Sequence, residues 1–283
     1  MPTKITIFFL LVVVFVGCKH NETTEPLIDS SMVITNSWLT IDTTTLEDTV
    51  ALIPIKGGSF QPLFGGGDSS INLEDFFLDQ YPVTKSQYLQ FIKRNPQWSK
   101  SNVKRLYADQ NYLASWINDT TPGNEKNSHA PVTEVSWFAA TAYCKCLGKK
   151  LPTVAQWEYA AVAGKYKADE RNSNEYNQFI LNWYKDINTK QNPIGSTYQN
   201  YMGIWDMHGL IWEWTYDFNE VMISGESRSD VSTDVNLFCG SGSIGANDLM
   251  NYAAFMRYAF RGSLKANYNV KNLGFRCGKN KIP

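Results

Sequence analysis

Asp206 and Glu213 flank a short glycine-turned loop, Asp206-Met207-His208-Gly209-Leu210-Ile211-Trp212-Glu213, with bulky aromatics on both sides. Two carboxylates and the carbonyls of such a loop are hard oxygen donors, the ligands calcium prefers. The same pair could equally be solvated or capping carboxylates. Softer metal chemistry has less to draw on. Beyond Cys18 there are four cysteines, Cys144, Cys146, Cys239 and Cys277. Cys144 and Cys146 are spaced neither for bonding to each other nor for a zinc ribbon, and only His129 and His208 lie beyond the N-terminal region. Trp157, Glu158 and Trp212 read as core, with Glu158 satisfying buried donors, and Arg276 reads as a buried ion-pair partner. Met250 and Met256 sit in a Tyr/Phe-rich stretch and read as core filler.

Cys18 belongs to a different kind of signal. Lys4 precedes an apolar run from Ile5 to Gly17, broken only by Thr6. That run is too short to span a bilayer and fits the core of a signal peptide. Phe15-Val16-Gly17-Cys18 resembles a lipobox, in which the cysteine is acylated and becomes the mature N-terminus; the alternative is an ordinary signal peptide with a chance cysteine. The polar Thr/Glu/Ser-rich stretch that follows cannot bury enough apolar surface to fold alone and reads as a tether. The expected organisation is therefore a signal peptide over 1–17, a tether over 18–50 and one body over 51–283. The expected location is the cell envelope, anchored in the outer membrane and facing either the periplasm or the exterior. Export permits disulfides.

Several elements must position these groups. Ala51 to Ile55 predicts a strand, with a turn at Gly57-Gly58. Ile71 to Asp79 alternates apolar and acidic residues, which predicts a second strand. Thr84 predicts the N-cap of a helix that buries Tyr88, Leu89 and Phe91. Ser136 caps a second helix that Gly148 ends, and Thr153 caps a third running to Ala163. Residues 95–128 read as irregular, Lys165 to Ser232 as loops with short strands, and Leu237 to Gly278 as strand, loop, strand. The class is α+β with much irregular backbone. With 26 basic against 27 acidic residues and a formal net charge of −1, no basic field suggests nucleic acid.

Four blocks resemble the formylglycine-generating-enzyme, or sulfatase-modifying-factor, family. They are Pro54 to Phe60 with Phe77 to Tyr88; Ala130 to Cys144 with Lys150 to Ala161; Met202 to Trp214; and Asn272 to Cys277. They follow one another in the family's order over most of residues 51–278. The resemblance implies a C-type-lectin-like α+β fold low in regular structure. It assigns a structural calcium to Asp206, the carbonyls of Gly209 and Ile211, and Glu213. Leu210 departs from the family, which usually has Asn there. A second family calcium site would match Asn182, with Asp186 as a further ligand. The resemblance also implies a disulfide between Cys144 and Cys277.

The resemblance breaks where the family does its chemistry. Active members bind copper(I) through two thiolates, and the matched positions here are Ala246 and Asn251. No copper is expected. The sequence therefore points to a non-catalytic, calcium-stabilised scaffold that binds a protein partner at the envelope and reaches the membrane through its lipid anchor. The alternatives are an oxidase of altered chemistry, either formylglycine-generating or non-haem-iron-like, and an accessory factor of a copper nitrite reductase. The stretch Tyr252 to Ala266 resembles the subgroup encoded beside such reductases.

Overall fold

Antiparallel pairing near the two ends of the body closes the fold. β1 (Leu52–Ile55) pairs with β4 (Phe76–Asp79), from Leu52 opposite Asp79 to Ile55 opposite Phe76, and β4 pairs in turn with β7 (Gly278–Asn280). β1 lies at the edge of this sheet, where the missing N–H of Pro54 costs no ladder bond. The computed structural model describes residues 48–62, 70–123, 128–185, 192–219 and 249–281, and all of them lie in the unit Thr40–Pro283. No helix among them is long and apolar enough to cross a membrane.

The stretch expected as one strand over 71–79 is two. β3 (Ile71–Leu73) pairs with β2 (Gly58–Phe60), and Glu74-Asp75 turns the chain into β4. The Asp75 carboxylate holds this corner by accepting from the Gly57 N–H at 3.0 Å. A Cβ on Gly57 would sit 2.1 Å from the Leu73 carbonyl oxygen, so only glycine fits.

The three capped helices form where expected. Thr84 and Gln87 make a reciprocal capping box at the start of α1 (Lys85–Arg94), and Thr153 and Gln156 repeat it for α3 (Val154–Ala161). The Ser136 hydroxyl accepts from the Ala139 N–H at the start of α2 (Trp137–Cys146). Small residues Ala139, Ala140 and Ala142 let α2 approach a core of Tyr88, Phe91, Tyr143, Trp214 and Phe275 closely. The irregular 95–123 region adds Trp98, Tyr112, Leu113 and Trp116 to that core. Two helices stand where loops or strands were expected: α4 (Asn174–Lys185) and α5 (Leu249–Gly262), which pack on each other. β5 (Trp212–Glu213) pairs in parallel with β6 (Leu273–Gly274).

Candidate functional site

The β5–β6 pairing sets Glu213 next to the buried Arg276 segment. Arg276 donates through Nε to Oε2 and through Nη2 to Oε1 of Glu213, each at 2.8 Å, and neither side chain has any solvent exposure. Such two-pronged contact is the strong form of an ion pair. Trp157 of α3 adds a third donor, its indole N–H reaching Glu213 Oε2 at 2.8 Å. Arg276 is thus the buried ion-pair partner its sequence context suggests.

The other face of Trp157 belongs to a second network. The Arg261 guanidinium lies 4.8 Å over the indole ring. Arg261 and Arg257, one turn apart on α5, converge on the Glu158 carboxylate, which α3 holds with no exposure. Arg257 donates to it through Nε at 2.9 Å and Nη2 at 2.7 Å, and Arg261 through Nη1 at 2.6 Å. Burial alone would raise the Glu158 carboxyl, but the charges and hydrogen bonds of the two arginines outweigh it and hold the pKa down at about 2. Arg257 also donates to the Tyr184 hydroxyl at 3.2 Å, which ties in α4.

His208 lies between the rings of Trp157 and Tyr176, with Nε2 3.2 Å from the Ala161 carbonyl oxygen. Burial and the nearby Arg257 charge push its pKa down to about 3, so the ring is neutral. These groups are arranged to hold elements together. Every carboxylate oxygen of Glu158 and Glu213 already accepts from an arginine.

A profile of the Sulfatase-modifying factor enzyme 1-like domain matches residues 40–281. The chain belongs to this sulfatase-modifying-factor family. It is 28% identical to the formylglycine-generating enzyme of Streptomyces coelicolor over 250 residues, covering 74% of this chain and 79% of that one. It is 24% identical to the inactive C-alpha-formylglycine-generating enzyme 2 of Bos taurus, covering 89% and 95%. It is 31% identical to the serine/threonine-protein kinase Pkn1 of Chlamydia trachomatis over 183 residues, which is 60% of this chain but spans only 29% of the kinase's length. Membership carries the α+β fold seen above.

Within the family's loop, the structure keeps Asp206 and Glu213 in separate settings. Glu213 is neutralised by Arg276. Asp206 is fully buried with a left-handed backbone at φ +58°, and its carboxylate accepts from the Gly195 N–H, the Thr197 N–H at 3.1 Å and the Thr197 hydroxyl at 2.8 Å. Among the described residues no Lys, Arg or His forms a salt bridge with it. A carboxylate has about four acceptor positions, so one remains. Among the described residues no group of three or more His, Cys, Asp or Glu side chains gathers that could hold a metal ion, so any ion at this loop would draw on Asp206 and backbone carbonyls. Gly209 has φ +96°, and a Cβ there would come within 2.9 Å of Phe179. Leu210 in the same loop is buried.

Asn182 is different. It lies on the exposed side of α4, where its amide oxygen accepts from Gln178 at 2.8 Å, and Asp186 is outside the described residues. Cys18, Cys239 and Ala246, and the side chains of Met250 and Asn251, also lie outside them. Cys144 and Cys277 are joined as a disulfide with Cα atoms 5.5 Å apart, tying α2 to the end of the three-stranded sheet. Cys146 is buried and outside the bridge. The Glu158–Arg257–Arg261 cluster was only half visible in the sequence. The Arg257-x-x-x-Arg261 spacing on one helix face is the signal that could have found it.

Proposed function

We propose that this chain is a non-catalytic binding scaffold of the cell envelope, built on the sulfatase-modifying-factor fold, stabilised by calcium and held at the membrane by acylated Cys18. One observation carries the reading. The two positions matched to the family's copper-binding thiolates are Ala246 and Asn251, and neither residue binds copper(I). Two of the remaining cysteines are consumed in the disulfide. The name of the bovine relative, an inactive formylglycine-generating enzyme, is compatible with such a role. The disulfide accords with an extracytoplasmic location.

The calcium proposal rests on Asp206. Its buried, cation-less carboxylate, together with the loop carbonyls of Gly209 and Ile211, is a donor set suited to a hard ion. Bound calcium would supply the positive charge that no described side chain provides. Glu213 then contributes at most the acceptor position its arginine and indole donors leave over.

The purified mature protein should not convert a cysteine-containing sulfatase peptide to formylglycine, with or without added copper. Turnover of that peptide would overturn the scaffold reading. Metal analysis should find calcium, and chelation should lower the melting temperature of the wild type but not of Asp206→Ala. If the native protein holds no calcium by mass and its melt ignores chelator, the calcium proposal is wrong. Cys18→Ser should move the protein from the detergent phase to the soluble fraction, and unchanged partitioning would reject the acyl anchor.

A further inference from the structure

From Gln80 to Ala108 the chain carries six cationic residues and no carboxylate, in a protein whose 27 acids outnumber its 26 bases. Lys85 is buried at the start of α1. The other five, Lys93, Arg94, Lys100, Lys104 and Arg105, are exposed or half-buried at the end of α1 and on the turns beyond it. None of the salt bridges among the described residues involves Lys93, Arg94, Lys100 or Arg105. The Lys100 ammonium donates to the carbonyls of Ala114 and Trp116 at 3.1 and 2.6 Å, which staples this turn to the 114–119 segment. Two acids share the region. Asp119 is engaged by the N–H and hydroxyl of Ser101, and Asp109 by Asn269 and the Asn111 N–H. Five cations less two anions leave a charge of +3 over residues 93–119.

Among the described residues, the two most exposed large aliphatic side chains, Leu106 at 72% and Ile117 at 70%, fall in this same 93–119 stretch, and the other exposed large hydrophobics there and elsewhere among them are aromatic. Beneath this ledge Trp98, Tyr112, Leu113 and Trp116 are buried. The Tyr112 hydroxyl donates to the Trp98 carbonyl at 2.8 Å and meets the Tyr88 hydroxyl at 2.6 Å. The core is therefore already filled, and Leu106 and Ile117 have no place in it.

We propose that this ledge docks on anionic lipid headgroups of a bilayer. Exposed cations are drawn to a negative membrane surface, and aliphatic side chains beside them can enter the headgroup–acyl boundary. A protein partner is the poorer match. Protein interfaces favour exposed aromatics and arginine and are depleted in lysine, whereas three of these five cations are lysines and the projecting apolar groups are aliphatic. The proposal goes beyond the acyl anchor and does not depend on it. An acylated Cys18 would merely bring the ledge to the bilayer at high local concentration.

The test uses the full mature chain with Cys18→Ser, so that no acyl chain contributes, in co-sedimentation with phosphatidylglycerol–phosphatidylcholine vesicles and with pure phosphatidylcholine vesicles. Binding should appear only with the anionic vesicles and should fall steeply as salt rises. Lys104→Gln with Arg105→Gln should weaken it on the order of 25-fold at low salt, about fivefold per charge. Leu106→Ser with Ile117→Ser should weaken it as well. Lys165→Gln with Lys167→Gln, on exposed lysines elsewhere, should leave it unchanged, and all variants should melt with the parent. Equal binding to neutral vesicles, an equal loss from the Lys165/Lys167 control, or capture by soluble polyglutamate without vesicle binding would each overturn the proposal.

Discussion

Replacing Glu158 with Gln removes the single negative charge that holds two arginines of α5 in the interior. Glu158 has no solvent exposure, and the Arg257 and Arg261 side chains are only 3% and 6% exposed. Breaking a buried ion pair from one side costs about 3–5 kcal/mol, because the partner charge is left uncompensated. A second route gives a similar figure. The Glu158 pKa falls from 4.5 to about 2 on folding, and a drop of that size corresponds to about 3 kcal/mol of stability at neutral pH. The sign follows from proton binding. Between these two values the unfolded chain is protonated while the folded carboxylate is still charged, so the stabilisation is complete above pH 4.5 and fades as pH falls towards 2. In a domain of this size, about 3 kcal/mol lowers the melting temperature by roughly 6–12 °C. Urea unfolding of wild type and Glu158→Gln at pH 7 measures the gap, and repeating it at successively lower pH should show the gap closing below pH 4.5. A variant within 1 kcal/mol of wild type at pH 7, or a gap that stays constant down to pH 2.5, would refute the assignment of this cluster as the clamp between α3 and α5.

The bridge between Cys144 and Cys277 closes a 133-residue separation, for which the chain-entropy model gives about 4–5 kcal/mol. Cys144→Ala with Cys277→Ala should lower stability by up to that amount, and peptide mapping without reductant should recover a cross-linked 144–277 pair; alkylation of either cysteine in the denatured, unreduced protein would contradict it. His208 is held neutral with a pKa near 3 against an ordinary 6.5. Protons therefore favour the unfolded state as pH drops from 6.5 towards 3, and His208→Gln should flatten the stability–pH curve in that window relative to wild type. An unchanged curve would show that the ring already titrates normally in the folded protein.

Much of this protein is local and so was open to inspection in one dimension. Thr84, Ser136 and Thr153 cap helices because a side-chain oxygen can reach an N–H two or three residues away whatever the rest of the chain does. The ordered blocks around Trp157, Asp206 to Glu213 and Asn272 to Cys277 were enough to identify the fold, and through it the pairing of Cys144 with Cys277. The two missed helices have a common cause. The inward face of α5 carries Arg257 and Arg261 beside Ala253, Ala254 and Tyr258, so its buried stripe does not read as apolar. α4 mixes Asn, Gln and aromatic residues whose helical state depends on packing against α5. The single strand expected over 71–79 failed because the Asp75 side chain reaches back to Gly57, a contact between distant positions. The same holds at the candidate calcium loop. Residue types alone offered Asp206 and Glu213 as an equivalent pair of ligands. Only the folded chain brings Arg276 and Trp157 to Glu213 while Asp206 takes its donors from Gly195 and Thr197, with no salt bridge among the described residues, because charge compensation is set by what comes together in space and not by spacing along the sequence.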